Sequence, residues 1–258
     1  MRNFIRNIIL NILSLNVSPS KYIHILNGHF VDENLTVDSY NKFEKFIIRM
    51  RKYFDIISLE QAIQDIHNKN IIFRPRVALT FDDGLLECYT IIFPLLEKYN
   101  LKAAFFINPV SIDNQDDSFT TNFIKNNLRV NFKKKFMTWS MIKEIKEKGH
   151  VIGSHTTNHL ELNALNEEIL TKEIIDSKNI INSRLDINCE YFAFPFGTSN
   201  FFDKNAVEMA SKTYKYSFTS GSYGKYFFNG RINIFSRRHF EINWSFRHII
   251  YFLSKNRL

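Results

Sequence analysis

The fold class this sequence predicts is an α/β barrel of parallel strands, and three observations predict it. Short apolar runs alternate with segments of helical apolar period from about residue 22 onward. Strand-then-helix alternation argues for a parallel sheet, and this many repeats of it argue for closure into a barrel. Polar motifs stand at the C-terminal ends of three apolar runs, where the loops of a parallel barrel build a site. One domain of this kind accommodates 258 residues, and a 45% hydrophobic chain has the apolar material for its core.

Residues 1–20 read as a unit of their own. Phe4, Ile5, Ile8, Ile9, Ile12 and Leu13 recur at helical spacing, with Asn3, Arg6, Asn7 and Asn11 between them. That is an amphipathic helix. Two placements satisfy it: along a membrane surface, or packed on the domain itself. The basic start and apolar middle resemble a signal peptide. However, Asn7, Asn11 and Ser14 interrupt the apolar run, and no clear small-residue cleavage site follows. No stretch reaches the length of a transmembrane helix. The placements supported are cytoplasmic or peripheral at the inner membrane, with secretion left open.

Ser18-Pro19-Ser20 ends that helix, and the barrel takes residues 21–258. Residues 22–26 read as a strand, and 39–53 as a helix on Tyr40, Phe43, Phe46, Ile47 and Met50. Ser58, three residues before Gln61, has the spacing of a capping box. Residues 77–80 form a strand that runs into Phe81-Asp82-Asp83-Gly84, and a helix follows to residue 99. The strand 103–107 ends at Asn108-Pro109. Residues 110–136 are polar and irregular and read as a long surface loop or insertion. A helix then starts at Thr138 or Ser140 and stops at Gly149. Residues 150–154 are strand-like, 167–185 a long helix, and 191–194 a strand ending in Pro195-Phe196-Gly197. Another helix and the strand 216–219 follow.

The formal net charge is +8, which favours polyanionic partners. The basic residues are dispersed, with Lys133-Lys134-Lys135 and Arg237-Arg238 the densest runs, and no aromatic-basic interleaving marks a nucleic-acid module. Solvated faces account for them, and nucleic acid is not expected as a partner. Cys88 and Cys189 make neither a disulfide framework nor a zinc knuckle.

Three motifs carry chemistry: Thr80-Phe81-Asp82-Asp83-Gly84, Ser154-His155-Thr156-Thr157-Asn158-His159, and Phe194-Pro195-Phe196-Gly197. Each follows an apolar strand, so a barrel brings all three to one rim. Adjacent carboxylates at a strand end repel each other unless something uses them; Asp-Asp-Gly is also an ordinary solvated turn. His155 and His159 are four apart, which presents both imidazoles on one side. Two His and one carboxylate with open positions form a recognised catalytic metal set. A metal on Asp83, His155 and His159 would lower the pKa of a bound water and polarise an amide carbonyl. Asp82 beside it is placed to take the water's proton, and the backbone N–H of Phe196 to hold the oxyanion.

These residues resemble the polysaccharide deacetylases, which share the NodB homology domain and include chitin, peptidoglycan and exopolysaccharide deacetylases. VALTFDDG at 77–84, then a helix and KAAFFI at 102–107, looks like the family's first motif and next strand. TWSMIKEIKEKGHVIGSHTTNHLELNAL at 138–165 looks like its helix, strand and His-[Ser/Thr]-x-x-His motif. YFAFPFG at 191–197 looks like its third motif. The resemblance covers roughly residues 22–245. It implies a distorted (β/α)7 barrel, Asp82 as general base, Asp83, His155 and His159 as metal ligands, and Zn²⁺ as the usual metal; Thr156 would support the loop between the histidines.

Three departures accompany the resemblance. Ala193 stands where many members have an Arg that orients the base; Arg238 or Arg237 is the substitute the sequence offers. The late Leu-x-His motif that gives the general acid is absent, and His239 is the nearest candidate. The early Tyr-His motif has no clean match, since Tyr22-Ile23-His24 is out of register and Gly28-His29 lacks the Tyr. The expected activity is removal of N-acetyl groups from amino sugars of a glycan or glycan precursor. The alternatives are a deformylase or other C–N amidohydrolase on a lipid-linked sugar, and a catalytically silent glycan-binding barrel.

Overall fold

In the computed structural model, which describes residues 2–32, 36–114, 116–220, 226–229 and 232–254, seven parallel staves form a nearly closed barrel. Round the barrel they are β1 (Ile23–Gly28), β3 (Arg76–Phe81), β4 (Ala104–Ile107), β5 (Val151–Ser154), β6 (Tyr191–Ala193) and β7 (Tyr216–Thr219). The last stave is in two pieces, β9 (Ile232–Ser236) and β10 (Arg238–His239). Of the other strands, β2 (Asp55–Ile57) runs parallel to β3, and β8 (Tyr226–Asn229) pairs antiparallel with β9.

Two features distort the barrel. Residues 76–78 of β3 pair with β2, and only Thr80 and Phe81 pair with β4, so two strands contribute to the pairing beside β4. Closure is made by the broken stave: β9 pairs with β7 through Ser217 and Ile234, then β10 pairs with β1 through Leu26 and Arg238. Arg237 sits at the break.

The interior is filled by Ile25, Ala78, Ala104, Phe106, Ala193, Phe218 and Phe235, all with no measurable exposure. Alternation along a strand sends every second side chain inward. The three alanines leave room in this narrow barrel for the three Phe rings. A larger outer core lies between the staves and the helices.

The helices are α1 (Arg2–Leu13), α2 (Val37–Tyr53), α3 (Leu59–His67), α4 (Phe93–Lys98), α5 (Asp117–Asn126), α6 (Trp139–Glu147), α7 (Glu167–Thr171), α8 (Ser177–Leu185), α9 (Lys204–Thr213) and α10 (Phe246–Ser254). Several of their starts are set by side-chain caps, each satisfying a backbone N–H that has no partner within the helix. Ser58 accepts from Gln61 N, Thr138 from Met141 N, Asn166 from Ile169 N and Asp203 from Ala206 N. Only half of the capping box expected at Ser58 forms, because the Gln61 side chain turns to Asp65, 2.9 Å away. The continuous helix expected over 167–185 carries a π-helical turn at Lys172–Asp176.

Residues 110–136 are more ordered than their composition suggests. Asp116 caps α5, and Phe123 and Ile124 on it pack with Leu85, Leu128 and Phe136 in a small separate core. Beneath this insertion the Lys134 ammonium lies 2.6 Å from Glu87, with both side chains at most 3% exposed. Two aromatic residues in 119–123, four apart on one helix face, were the signal.

Candidate active site

The first motif sits at the top of β3. Asp82 N donates to Gly28 O at 3.0 Å, and Asp83 and Gly84 both take left-handed backbone, with φ of 74° and 71°. This tight turn lets consecutive carboxylates reach the same cavity. Burial alone would raise the Asp82 carboxyl, but the Arg237 guanidinium and His155 outweigh it and hold Asp82 well below the usual carboxylate range. Asp83 goes the other way, pushed well above that range by burial and by the neighbouring Asp82 charge.

Arg237 grips Asp82 with two nitrogens, each 2.7 Å from one carboxylate oxygen, and one of them also reaches Thr80 Oγ1 at 3.0 Å. Its guanidinium carbon lies 5.0 Å from the Phe106 ring centre and 6.0 Å from that of Phe218. Ala193 belongs to the same interior cluster as those rings. The guanidinium on Asp82 thus comes from the break in the last stave, and it is Arg237. Arg238, the alternative offered by the sequence, points elsewhere, with its guanidinium 4.4 Å over the Phe252 ring. The physical reason is strand alternation: neighbours in this stave face opposite sides.

The second motif continues β5. Asp83 Oδ1 lies 3.7 Å from His155 Nε2 and 3.7 Å from His159 Nε2. The other ring nitrogens are engaged: His155 Nδ1 donates to Ala193 O at 2.8 Å and His159 Nδ1 to Asn127 O at 2.9 Å. Those bonds leave both Nε2 lone pairs directed at the carboxylate. Burial lowers the pKa of both imidazoles, opposed at His155 by the Asp82 charge and reinforced at His159 by His155, so both are neutral at pH 7. The loop between them is braced. His159 N donates to Thr156 Oγ1 at 3.0 Å, and buried Glu173 accepts from the backbone and side chain of Asn158 at 2.9 and 2.7 Å.

Asp83 Oδ1 is buried and has no hydrogen-bond partner among the described residues. An orphan carboxylate oxygen between two neutral imidazole nitrogens is costly unless a cation completes it. Three atoms each about 2 Å from a common ion would stand on the order of 3–4 Å apart; Asp83 Oδ1 is 3.7 Å from each imidazole nitrogen, and all three atoms lie within 4.8 Å of one another. The donor set therefore fits a divalent transition metal.

Phe196 of the third motif has φ 59°, and its ring lies 4.7 Å from that of His159 and under the Arg129 guanidinium. Its backbone N–H has no hydrogen bond among the described residues. Gly197 follows at φ 68°, and a Cβ there would stand 2.5 Å from Ser220 Oγ. His239 stands further out, with Nε2 2.9 Å from Glu241 Oε1 and its ring 5.1 Å from that of His29.

His29 was not singled out by the sequence. It follows β1, and burial, opposed by Asp82, brings its pKa down to about 4; His155 is also within electrostatic reach. The signal was Gly28-His29 itself, set aside for want of a Tyr. The Phe240 ring fills that place, 3.1 Å from where a Cβ at Gly28 would stand. His24, by contrast, is buried against Phe54 at the opposite end of β1 and belongs to the core.

The sequence profile described as "Polysaccharide deacetylase" matches residues 73–217. This chain belongs to the polysaccharide deacetylase family. Among its relatives, a putative polysaccharide deacetylase of Bacillus subtilis (strain 168), YxkH, is 30% identical over 137 residues, 53% of this chain and 41% of that protein. A peptidoglycan-N-acetylglucosamine deacetylase of Bacillus cereus is 30% identical over 125 residues, 48% of this chain and 37% of that one. The alignments thus span about two fifths of these relatives' length. The fold of this family member is shared with solved structures at low identity. IcaB from Ammonifex degensii superposes with TM-score 0.71 at 18% identity, covering 93% of this chain and 100% of that one. Streptococcus pyogenes deacetylase PplD, solved with acetate, gives TM-score 0.66 at 22% identity, covering 92% of this chain and 100% of that one.

Proposed function

We propose that this family member hydrolyses the N-acetyl group of an amino sugar in a glycan or lipid-linked glycan precursor, with Zn²⁺ on Asp83, His155 and His159. The observation that carries the reading is the orphan Asp83 Oδ1, equidistant from two oriented imidazoles and beside an arginine-clamped carboxylate. A cation bound there supplies Lewis acidity, polarising the acyl carbonyl and lowering the pKa of water.

Asp82 takes the proton of the attacking water. Its tie to Arg237 keeps it ionised and aimed; the same tie lowers its basicity, so it works only on a water already made acidic. The Phe196 N–H stabilises the oxyanion of the tetrahedral intermediate. The leaving amine needs a proton, and the one Asp82 took from the water supplies it; His29, neutral at pH 7, and His239, held by Glu241, stand beside Asp82 to pass it on.

The test separates base from ligand. Asp82→Asn is expected to keep about one metal per chain, as a single site requires, and to lose turnover. His155→Ala is expected to lose both. Loss of metal in Asp82→Asn would reverse the roles assigned to the two carboxylates.

A further inference from the structure

The N-terminal helix shows the domain its polar side. Leu10 and Ser14 are buried, and Asn11 Oδ1 lies 2.8 Å from His248 Nε2 on α10. Asn7 and Asn11 line a cavity of about 490 Å³ whose opposite wall is Trp244 and Phe252. Left outward are Ile8, Ile9, Ile12, Leu13 and, just past the helix, Leu15, each 45–63% exposed. A helix packed on its own core buries its apolar stripe. This one turns most of the stripe to the outside.

Charge identifies the surface that would cover it. Residues 1–31 and 242–258 contain no Asp or Glu and six Lys or Arg, leaving 28 basic against 26 acidic residues elsewhere. Among the described residues the two segments meet where α1 packs on α10, and Arg6 and Arg247 stand on those two helices. A second copy of the chain would bring the same positive segments face to face, which is repulsive. An anionic lipid surface satisfies the apolar stripe and the cations together. No helix among the described residues is long and apolar enough to cross a membrane.

We propose that α1 lies in the headgroup region of an anionic bilayer with its isoleucine stripe inserted, holding the barrel at the membrane surface. The cavity that Arg6 and Asn7 share with Trp244 adjoins the catalytic rim, because the Trp244 ring is 5.5 Å from that of His239. The mouth of the site therefore opens beside the lipid, where a lipid-linked amino sugar presents its acyl group. That last step rests on the deacylase reading; the docking does not.

The experiment is co-sedimentation of the full chain with phosphatidylcholine vesicles, with and without phosphatidylglycerol. Binding is expected only with phosphatidylglycerol, weakening with salt. Ile9→Asp/Ile12→Asp, at exposed positions, is expected to reduce bound protein about tenfold or more, with an unchanged unfolding transition. Wild-type protein left in the supernatant, or equal binding by the double variant, overturns the proposal. So does a dimer in solution that the double variant splits without any vesicle binding. Vesicle binding by a chain that deacylates nothing would keep the docking and remove the deacylase reading.

Discussion

Arg237 and Asp82 form a fully buried, two-point ion pair, with both oxygens of the carboxylate 2.7 Å from separate guanidinium nitrogens. The pair links the broken stave to the Asp82-Asp83-Gly84 turn, so it ties closure of the barrel to the candidate site. Arg237→Met leaves Asp82 charged and buried without a cation, a loss of about 3–5 kcal/mol of stability. Urea unfolding measures it. Arg238→Met, whose guanidinium lies over the Phe252 ring and not on Asp82, is expected to cost less. Equal losses for the two would contradict the placement.

The same pair sets a pH dependence. The Asp82 pKa falls from 3.8 in the unfolded chain to well below the carboxylate range when folded. The stability it contributes is therefore fully present above pH 3.8 and lost as pH falls toward the folded value. The stability gap between wild type and Asp82→Asn should be constant from neutral pH down to about pH 5 and narrow below it. A gap that widens on acidification would contradict the ionised state assigned to Asp82.

Proton competition for the metal should fall on the carboxylate and not on the imidazoles. His155 and His159 are both held below 6.5, whereas burial and the Asp82 charge push Asp83 up, so one proton displaces the ion. Dialysis over a pH series followed by elemental analysis is expected to show metal lost in a one-proton step; a step of two or more protons would contradict the assignment. His159→Ala is expected to weaken metal binding by about 10–100-fold or more in affinity, since even an outer-shell change costs that much.

Two glycines separate backbone strain from crowding. Gly149 and Gly197 both have positive φ, yet a Cβ at Gly149 meets only Lys102 at 3.9 Å, whereas one at Gly197 meets Ser220 side chain and backbone within 2.8 Å. Gly149→Ala is expected to cost about 1 kcal/mol and Gly197→Ala about 2–3 kcal/mol. The second should also slow turnover, because Phe196 is its neighbour in the turn.

Legibility followed locality. The strands 77–80, 103–107 and 150–154 and the three motifs were readable because apolar runs and polar ends lie together in sequence. The family resemblance rested on the same runs and motifs, and the seven-stave barrel was what that resemblance implied. What was not readable depends on long-range geometry. Choosing Arg237 over Arg238 needs the register of β10 on β1, which no local pattern carries. His29 was passed over because its aromatic neighbour, Phe240, comes from the other end of the chain. The helix in 110–136 was hidden by polar composition, although Phe119 and Phe123 had helical spacing. The N-terminal helix was legible as amphipathic, but only the fold shows which face it turns outward.

The most direct measurement joins metal content to acetate release: purified protein, elemental analysis, then N-acetylglucosamine oligomers with and without added Zn²⁺. The account predicts about one metal per chain and acetate release that chelation abolishes and Zn²⁺ restores. Neither metal nor acetate after adding Zn²⁺ would contradict it and leave a silent glycan-binding barrel.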